Sequence, residues 1–415
     1  MKILFMHQNM PGQYKHLARL YAADSKNDVR FVTKRKGVEI PGVKKYVYDL
    51  HREGHKALHH YLKPLEGAVL YGQAAARTLF QLKKSGFVPD VICVHPGWGE
   101  ALYVKDIYGE VPLLGYFEFY YHASGADVGF DPDTPVSLDD MCRIRTKNAN
   151  NLLSLECCDA GVSPTKWQRS QFPEEFLYKI ARIHDGIDTK VVAPDPAARL
   201  DLPNGKTVAA GDEVVTYVAR NLEPYRGFPS FMHAAEEICR RRPKCQIVIV
   251  GGDGVSYGRR LASGETYRAK MLSEVKIDPA RVHFLGNVPY DRFLKVLQVS
   301  AAHVYLTYPF VLSWSMLEAM GAGCLVVGSD TPPVTEVLSD GRNGLLVDFF
   351  KPKQIADRVG EALDHKDRMA AIRTRARATV VERYDLSMCL KKHKKLIGDL
   401  AAGKLPSVKK PVKVA

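Results

Sequence analysis

Short apolar runs recur along the chain, each ending in polar or glycine-containing residues and most followed by a stretch with helical spacing. "MKILFMHQ" (1–8) predicts a buried strand ending near His7, then a loop through Pro11 and Gly12 and a helix over "QYKHLARLYAA" (13–23). "DVRFVTK" (28–34) predicts a second strand. In "PDVICVHPGWGEALYVKDIYG" an apolar run ends at His95 and a glycine-rich loop leads into a helix; "PLLGYFEFYY", "DAGVSPTKWQRSQF" and "KIARIHDGID" continue the alternation. Residues 194–213, "PDPAARLDLPNGKTVAAGDE", break it: rich in Pro, Gly and Asp, they read as an inter-domain linker with a small hairpin. A second series opens at "VVTYVARN" (214–221) and runs through "CQIVIVGGDG", "RVHFLGNVP", "AHVYLTYPF", "CLVVGSD" and "GLLVDF".

Strands alternating with helices imply parallel sheets, so the predicted class is α/β with two doubly wound, Rossmann-like domains. Their expected bounds are 1–193 and 214–385, joined by the linker 194–213. A C-terminal helix, 386–400, is expected to pack back on the first domain, and a basic flexible tail covers 401–415. Ligands of such sheets bind beyond the carboxyl ends of the strands, and two of these edges facing each other would form a cleft.

Composition narrows the partners. A formal net charge of +13 suits anionic small molecules, an anionic bilayer or nucleic acid. No helix-turn-helix, RRM or KH signature occurs, so no nucleic acid is expected. The chain turns polar at His7, too early for a secretory apolar core, and no run of about eighteen apolar residues occurs, which places it in the cytoplasm. The eight cysteines lack the spacing of a zinc site and read as small buried hydrophobes. No G-x-G-x-x-G follows the first strand and no Walker lysine occurs, which argues against nicotinamide, flavin and P-loop chemistry. Asp131 and Asp133 form a D-x-D, but in a long polar loop that reads as solvated, so no metal is expected.

Two stretches carry candidate chemistry. "YVARNLEPYRGF" puts Arg220 and Arg226 at a strand mouth, two guanidinium forks suited to a diphosphate or a surface pair with Glu223 as partner. In "YPFVLSWSMLEAM" a turn at Pro309 precedes Ser313, Trp314 and Ser315, which read as a helix start able to bind anions. Glu318 is expected in the first stretch of that helix, as a ligand for a sugar diol or as dipole compensation.

R-x5-R before a glycine, then "IVIVGGDG", "VHFLGNVPY", "PFVLSWSMLEAM" and "EVLSDGRNGLLVD", form an ordered set that resembles the retaining family 4 glycosyltransferases of the GT-B fold. "IHDGIDTKVVAP" is similar to that family's strand-to-linker signature, with Asp185 where Asn is usual. The likeness spans most of the second half; the first half agrees mainly in layout. It implies that Arg220 and Arg226 hold the donor diphosphate, and that the loop and turn Val311, Leu312, Ser313, Trp314 and Ser315 offer amides to phosphate and sugar. It also implies that Glu318, the second acid of the family's E-x7-E, binds the ribose. Phe310 stands where the first acid is usual, so the sugar's contacts differ here. Gly251 and Gly252 match the glycine-rich strand end, Leu285 and Gly286 the main chain that reads the base, and Gly12 the N-terminal loop near the diphosphate. His95 and Glu118 are candidates for contact with the sugar or acceptor, with His122 and His7 behind them.

The resemblance implies sugar transfer from a nucleotide-diphosphate sugar to a glycan or lipid-linked acceptor, with retention and without a metal or other cofactor, in envelope polysaccharide or glycolipid synthesis. The tail lysines Lys404, Lys409, Lys410 and Lys413 suggest peripheral contact with an anionic membrane at its inner face. A nucleotide-sugar epimerase of the same architecture and a non-catalytic nucleotide-sugar binding subunit are the alternative readings.

Overall fold

The computed structural model of the chain describes residues 1–406. The chain divides into two compact units: Met1–Asp185 together with the chain from Ser387 on, and Gly186–Leu386.

The first unit is built on seven parallel strands: β1 (Lys2–Met6), β2 (Asp28–Thr33), β3 (Val43–Val47), β4 (Val91–Val94), β5 (Leu113–Tyr116), β6 (Ala160–Ser163) and β7 (Ile180–Arg182). Their order is β3-β2-β1-β4-β5-β6-β7, so the chain steps outward from β1 and then returns to its other side. The loops after β1 and β4 therefore part in opposite directions, which opens a crevice at the carboxyl edge. Residues 3–6 and 91–94 are buried, as strands covered on both faces must be. The edge strand β3, "VKKYV", has no fully buried residue, and its polar composition hides it from an apolar-run reading. The helix Leu386–Ala401 belongs to this unit's core, where Ile397 and Leu400 pack with Ile3, Phe5 and Tyr14. Lys404 beyond it pairs with Asp399 at 3.5 Å, whereas Lys409, Lys410 and Lys413 lie outside the described residues.

Residues 194–213, expected as a linker, fold as part of the second unit. β8 (Arg199–Asp201) and β9 (Thr207–Ala209) form an antiparallel hairpin. Its apolar residues Leu200, Leu202 and Val208 pack with Val214, Val248 and Val296, so it is core and the chain divides at 185/186 instead. Six parallel strands follow: β10 (Val214–Asn221), β11 (Gln246–Gly252), β12 (Val282–Phe284), β13 (Ala302–Tyr305), β14 (Val326–Ser329) and β15 (Leu345–Val347). The order β12-β11-β10-β13-β14-β15 places this unit's switch point between β10 and β13, where the two arginine- and serine-bearing loops emerge.

Candidate functional site

At the second unit's switch point the loops after β10 and β13 are locked together. Gly227 adopts φ +69°, and a Cβ there would lie 2.4 Å from Leu306 Cβ, so only glycine allows this approach. Arg226 is 8% exposed, and its Nη1 donates to Thr307 Oγ1 (2.7 Å), Val311 O (3.0 Å) and the Tyr305 hydroxyl (3.3 Å). Its guanidinium lies 5.3 Å from the Tyr257 ring centre. No carboxylate among the described residues pairs with it. Glu223, a possible salt-bridge partner from sequence, is fully buried and accepts the backbone N–H groups of Ser256 (3.0 Å), Tyr257 (3.1 Å) and Gly258 (2.9 Å). It thereby ties the loop after β11 beside the arginine. Arg220, at the end of β10, is exposed. The expected pair of equivalent forks is thus one buried guanidinium and one exposed one.

The Phe310 ring is buried, edge-on to Tyr225 and Tyr257 at 5.6 and 5.1 Å, and Tyr225 stacks on Tyr308 at 4.7 Å. An aromatic cluster therefore occupies the place expected of an acid. The Val311 and Leu312 side chains are also buried. Ser313 caps the helix Trp314–Gly321: its N–H donates to the Tyr305 hydroxyl (2.9 Å) and its Oγ accepts from Ser315 N (3.3 Å). Trp314 is exposed. Glu318 is that helix's fifth residue, past the first turn, so dipole compensation does not account for it. It accepts a hydrogen bond from the Tyr290 hydroxyl at 2.8 Å.

Gly251 and Gly252 close β11 where side chains would collide. A Cβ on Gly251 would meet Leu222 Cδ2 at 2.8 Å, and one on Gly252 would meet Asn221 Oδ1 at 2.9 Å. Gly286 is left-handed with open space around it, its carbonyl accepts from Gly251 N at 3.0 Å, and Leu285 beside it is half-buried.

The first unit's switch point brings together His7 just after β1, His95 just after β4 and Glu118 in the loop after β5. His7 Nδ1 accepts from Asn9 N (2.9 Å), which leaves Nε2–H to donate to Gln13 Oε1 (2.7 Å). Burial, and then the neighbouring His95, push the His7 pKa down to about 3. Gly12 sits against this ring: at φ +49° a Cβ would fall 2.2 Å from His7 Nε2, so this glycine makes room for the imidazole. His95 Nδ1 accepts from Gly97 N at 3.2 Å, and its buried Nε2, with no hydrogen-bond partner, lies 3.7 Å from Glu118 Oε2. Gln13 Nε2 donates to Glu118 Oε1 at 3.4 Å. His122 sits apart from this cluster, bonded to Gln171 O at 2.8 Å. Asp131 accepts from Asp133 N (2.9 Å) and the Thr134 hydroxyl (3.3 Å), a local turn rather than a paired-acid site. Sequence reasoning did not single out Gln13, Tyr257 or Tyr290, because each acts through a partner distant in sequence or in another loop. Trp98 was visible only as part of a glycine-rich loop.

Two family patterns match the chain: "Glycosyl transferase family 4 group" over residues 25–192 and "Glycosyl transferases group 1" over residues 202–379. Among curated proteins, a D-inositol 3-phosphate glycosyltransferase from Nocardia farcinica is 28% identical over 182 residues, 43% of this chain and 38% of the relative. A GDP-mannose-dependent alpha-(1-6)-phosphatidylinositol monomannoside mannosyltransferase from Mycobacterium tuberculosis is 26% identical over 239 residues, 53% of this chain and 56% of the relative. The matches thus span about half or less of these relatives' own lengths. Among solved structures, Anabaena HepE in complex with UDP-glucose superposes with a TM-score of 0.69 at 15% identity, covering 96% of this chain and 100% of that one. Sucrose-phosphate synthase from Thermosynechococcus elongatus gives 0.69 at 16% identity, covering 97% and 100%. Among the described residues, no helix is long and apolar enough to cross a membrane.

Proposed function

This chain belongs to the family 4 glycosyltransferases of the GT-B fold, and from that premise we propose that it moves a sugar from a nucleotide-diphosphate sugar to a glycan or lipid-linked acceptor with retention of configuration. The observation that carries this reading is Arg226, a buried guanidinium at a switch point with no acid paired to it. Removing such a charge from water costs several kcal/mol unless an anion compensates it, and a diphosphate would supply that anion. Exposed Arg220 adds a second fork, and the start of helix Trp314–Gly321 adds the positive end of its dipole.

As the anomeric bond breaks, negative charge grows on the departing diphosphate. Donors already in place stabilise it without reorganisation, so the reaction needs no bound metal. The departing phosphate then takes the acceptor's proton within a short-lived ion pair. Glu318 exchanges its tyrosine partner for the ribose diol, main chain at Leu285 and Gly286 meets the base, and Gly251 and Gly252 keep the strand end close to the ligand. Glu118 and His95, with Gly12 nearby, serve the sugar or the acceptor. The basic residues near the C-terminus assist contact with an anionic membrane on its cytoplasmic side.

A thermal-shift panel of UDP, GDP, ADP and CMP, each with magnesium and with EDTA, tests this on the wild type, Arg220→Ala and Glu318→Ala. One diphosphate stabilises the wild type equally in both conditions, and the shift is lost in both variants. No stabilisation by any nucleotide would remove the donor site from the reading.

A further inference from the structure

The Tyr290 hydroxyl stands on the acid that is to meet the ribose. Tyr290 opens the helix Tyr290–Gln298, with Pro289 at its N-cap, and donates to Glu318 Oε1 at 2.8 Å on the helix Trp314–Gly321. Burial, and then the Glu318 charge, raise the Tyr290 pKa above its ordinary 10, so the phenol keeps its proton at neutral pH and acts as a donor. A hydrogen bond to an ionised carboxylate is stronger than one between neutral groups.

That bond is not what joins the two helices. Leu294 and Leu297 on one, and Leu317 and Met320 on the other, are buried in a single apolar cluster. Arg292 Nη2 also fastens the helix Tyr290–Gln298 to the hairpin, donating to Asp201 O at 3.2 Å. The Tyr290 ring, by contrast, is 47% exposed and leans on Phe293, with 5.7 Å between ring centres. A ring with this much solvent on it changes rotamer while the helix beneath it stays in place. The hydroxyl can therefore leave Glu318 without the fold giving way.

A phenol and a ribose hydroxyl are both donors to this carboxylate, and a diol that takes its two oxygens must take Oε1 from the tyrosine. We propose that Tyr290 is a gate on the donor site, its hydroxyl competing with the ribose diol for Glu318. The competition subtracts the tyrosine bond from the binding of any nucleotide that uses the diol, and the hydroxyl's return to Glu318 helps the nucleoside diphosphate to leave after transfer. The gate rests on the ribose role proposed for Glu318; the bond itself does not.

Titrations of the full chain followed by ligand NMR test it, with UDP, GDP and ADP on the wild type and on Tyr290→Phe, which keeps the ring and loses only the hydroxyl. The 2′,3′-dideoxy form of whichever nucleotide binds is the control, since it brings no hydroxyl to Glu318 and leaves the tyrosine in place. Tyr290→Phe binds the ribonucleotide about fivefold more tightly than the wild type, while the dideoxy form binds both proteins alike. Equal ribonucleotide binding by the two proteins overturns the gate and leaves the donor site standing. Weaker binding by Tyr290→Phe overturns it as well and makes Tyr290 a residue that positions Glu318. Equal tightening of the ribo and dideoxy forms also overturns it, because the change then lies in the packing of the ring and not in competition for the acid. If no nucleotide binds either protein, the donor reading falls and the gate falls with it.

Discussion

A neutral imidazole is what the surroundings of His7 require. Its Nδ1 accepts a backbone N–H, its Nε2–H donates to Gln13, and a second imidazole lies beside it, so a proton on Nδ1 would break the first bond and add charge to a buried pair. Burial likewise lowers His184 and His303 to about 3 and His393 to about 4, from an ordinary 6.5. The sign follows from linkage. Above pH 6.5 both folded and unfolded states are neutral at these positions, and the contribution to stability is complete. As the pH falls, the unfolded chain binds the protons first, and stability is lost progressively until the folded pKa is passed. At pH 5 each such histidine removes on the order of 2 kcal/mol. Urea unfolding at pH 7 and pH 5 should show a falling midpoint, with a smaller fall in His303→Asn, whose ring is buried in the second unit beside Thr216. An unchanged pH dependence in that variant would contradict the assignment.

Between residues and domains, the loops at the switch points govern the site, and Gly227 is the hinge of one of them. Alanine there would meet both a positive φ and a 2.4 Å contact with Leu306, so Gly227→Ala should cost about 2 kcal/mol or more. Because it pushes the Arg226 loop from Thr307 and Val311, it should also reduce nucleotide stabilisation more than its fall in urea midpoint explains. A proportional loss of both would assign Gly227 to folding alone. The strands that flank these loops were legible in the sequence because they are short, apolar and buried on both faces. β3 was not, since this edge strand has two lysines and no fully buried residue. The candidates a sequence can offer are those whose residue type carries its own chemistry, as Arg226 and Glu318 do; their surroundings are not readable from it. Pairing is what the sequence hides: Glu223 looks like a surface acid until three amides from 256–258 converge on it, and the contact of Gly12 with the His7 ring appears only in the fold.

At the scale of the whole molecule, the second unit is an insertion in the first: the chain leaves at Asp185 and returns at Ser387. Its two ends are bonded to each other, Ile187 N to Tyr384 O and Leu386 N to Ile187 O, both at 2.8 Å. Arg377 also donates to Thr189 O (3.1 Å) and Val192 O (2.9 Å). A fragment begun at the end of the apparent linker would lack these acceptors and the hairpin that covers Val214 and Val248. Losing Leu200, Leu202 and Val208 alone exposes apolar surface worth about 1.5–3 kcal/mol per side chain, against a total domain stability of about 5–15 kcal/mol. Residues 186–386 should therefore fold as a cooperative unit, while 214–385 should be largely unfolded or aggregate, as measured by circular dichroism and urea titration. The same pair of fragments separates two views of the Pro- and Gly-rich stretch. If 214–385 is as stable as 186–386, residues 194–213 are a tether after all; if it is not, their turns shape a hairpin whose burial completes the second unit.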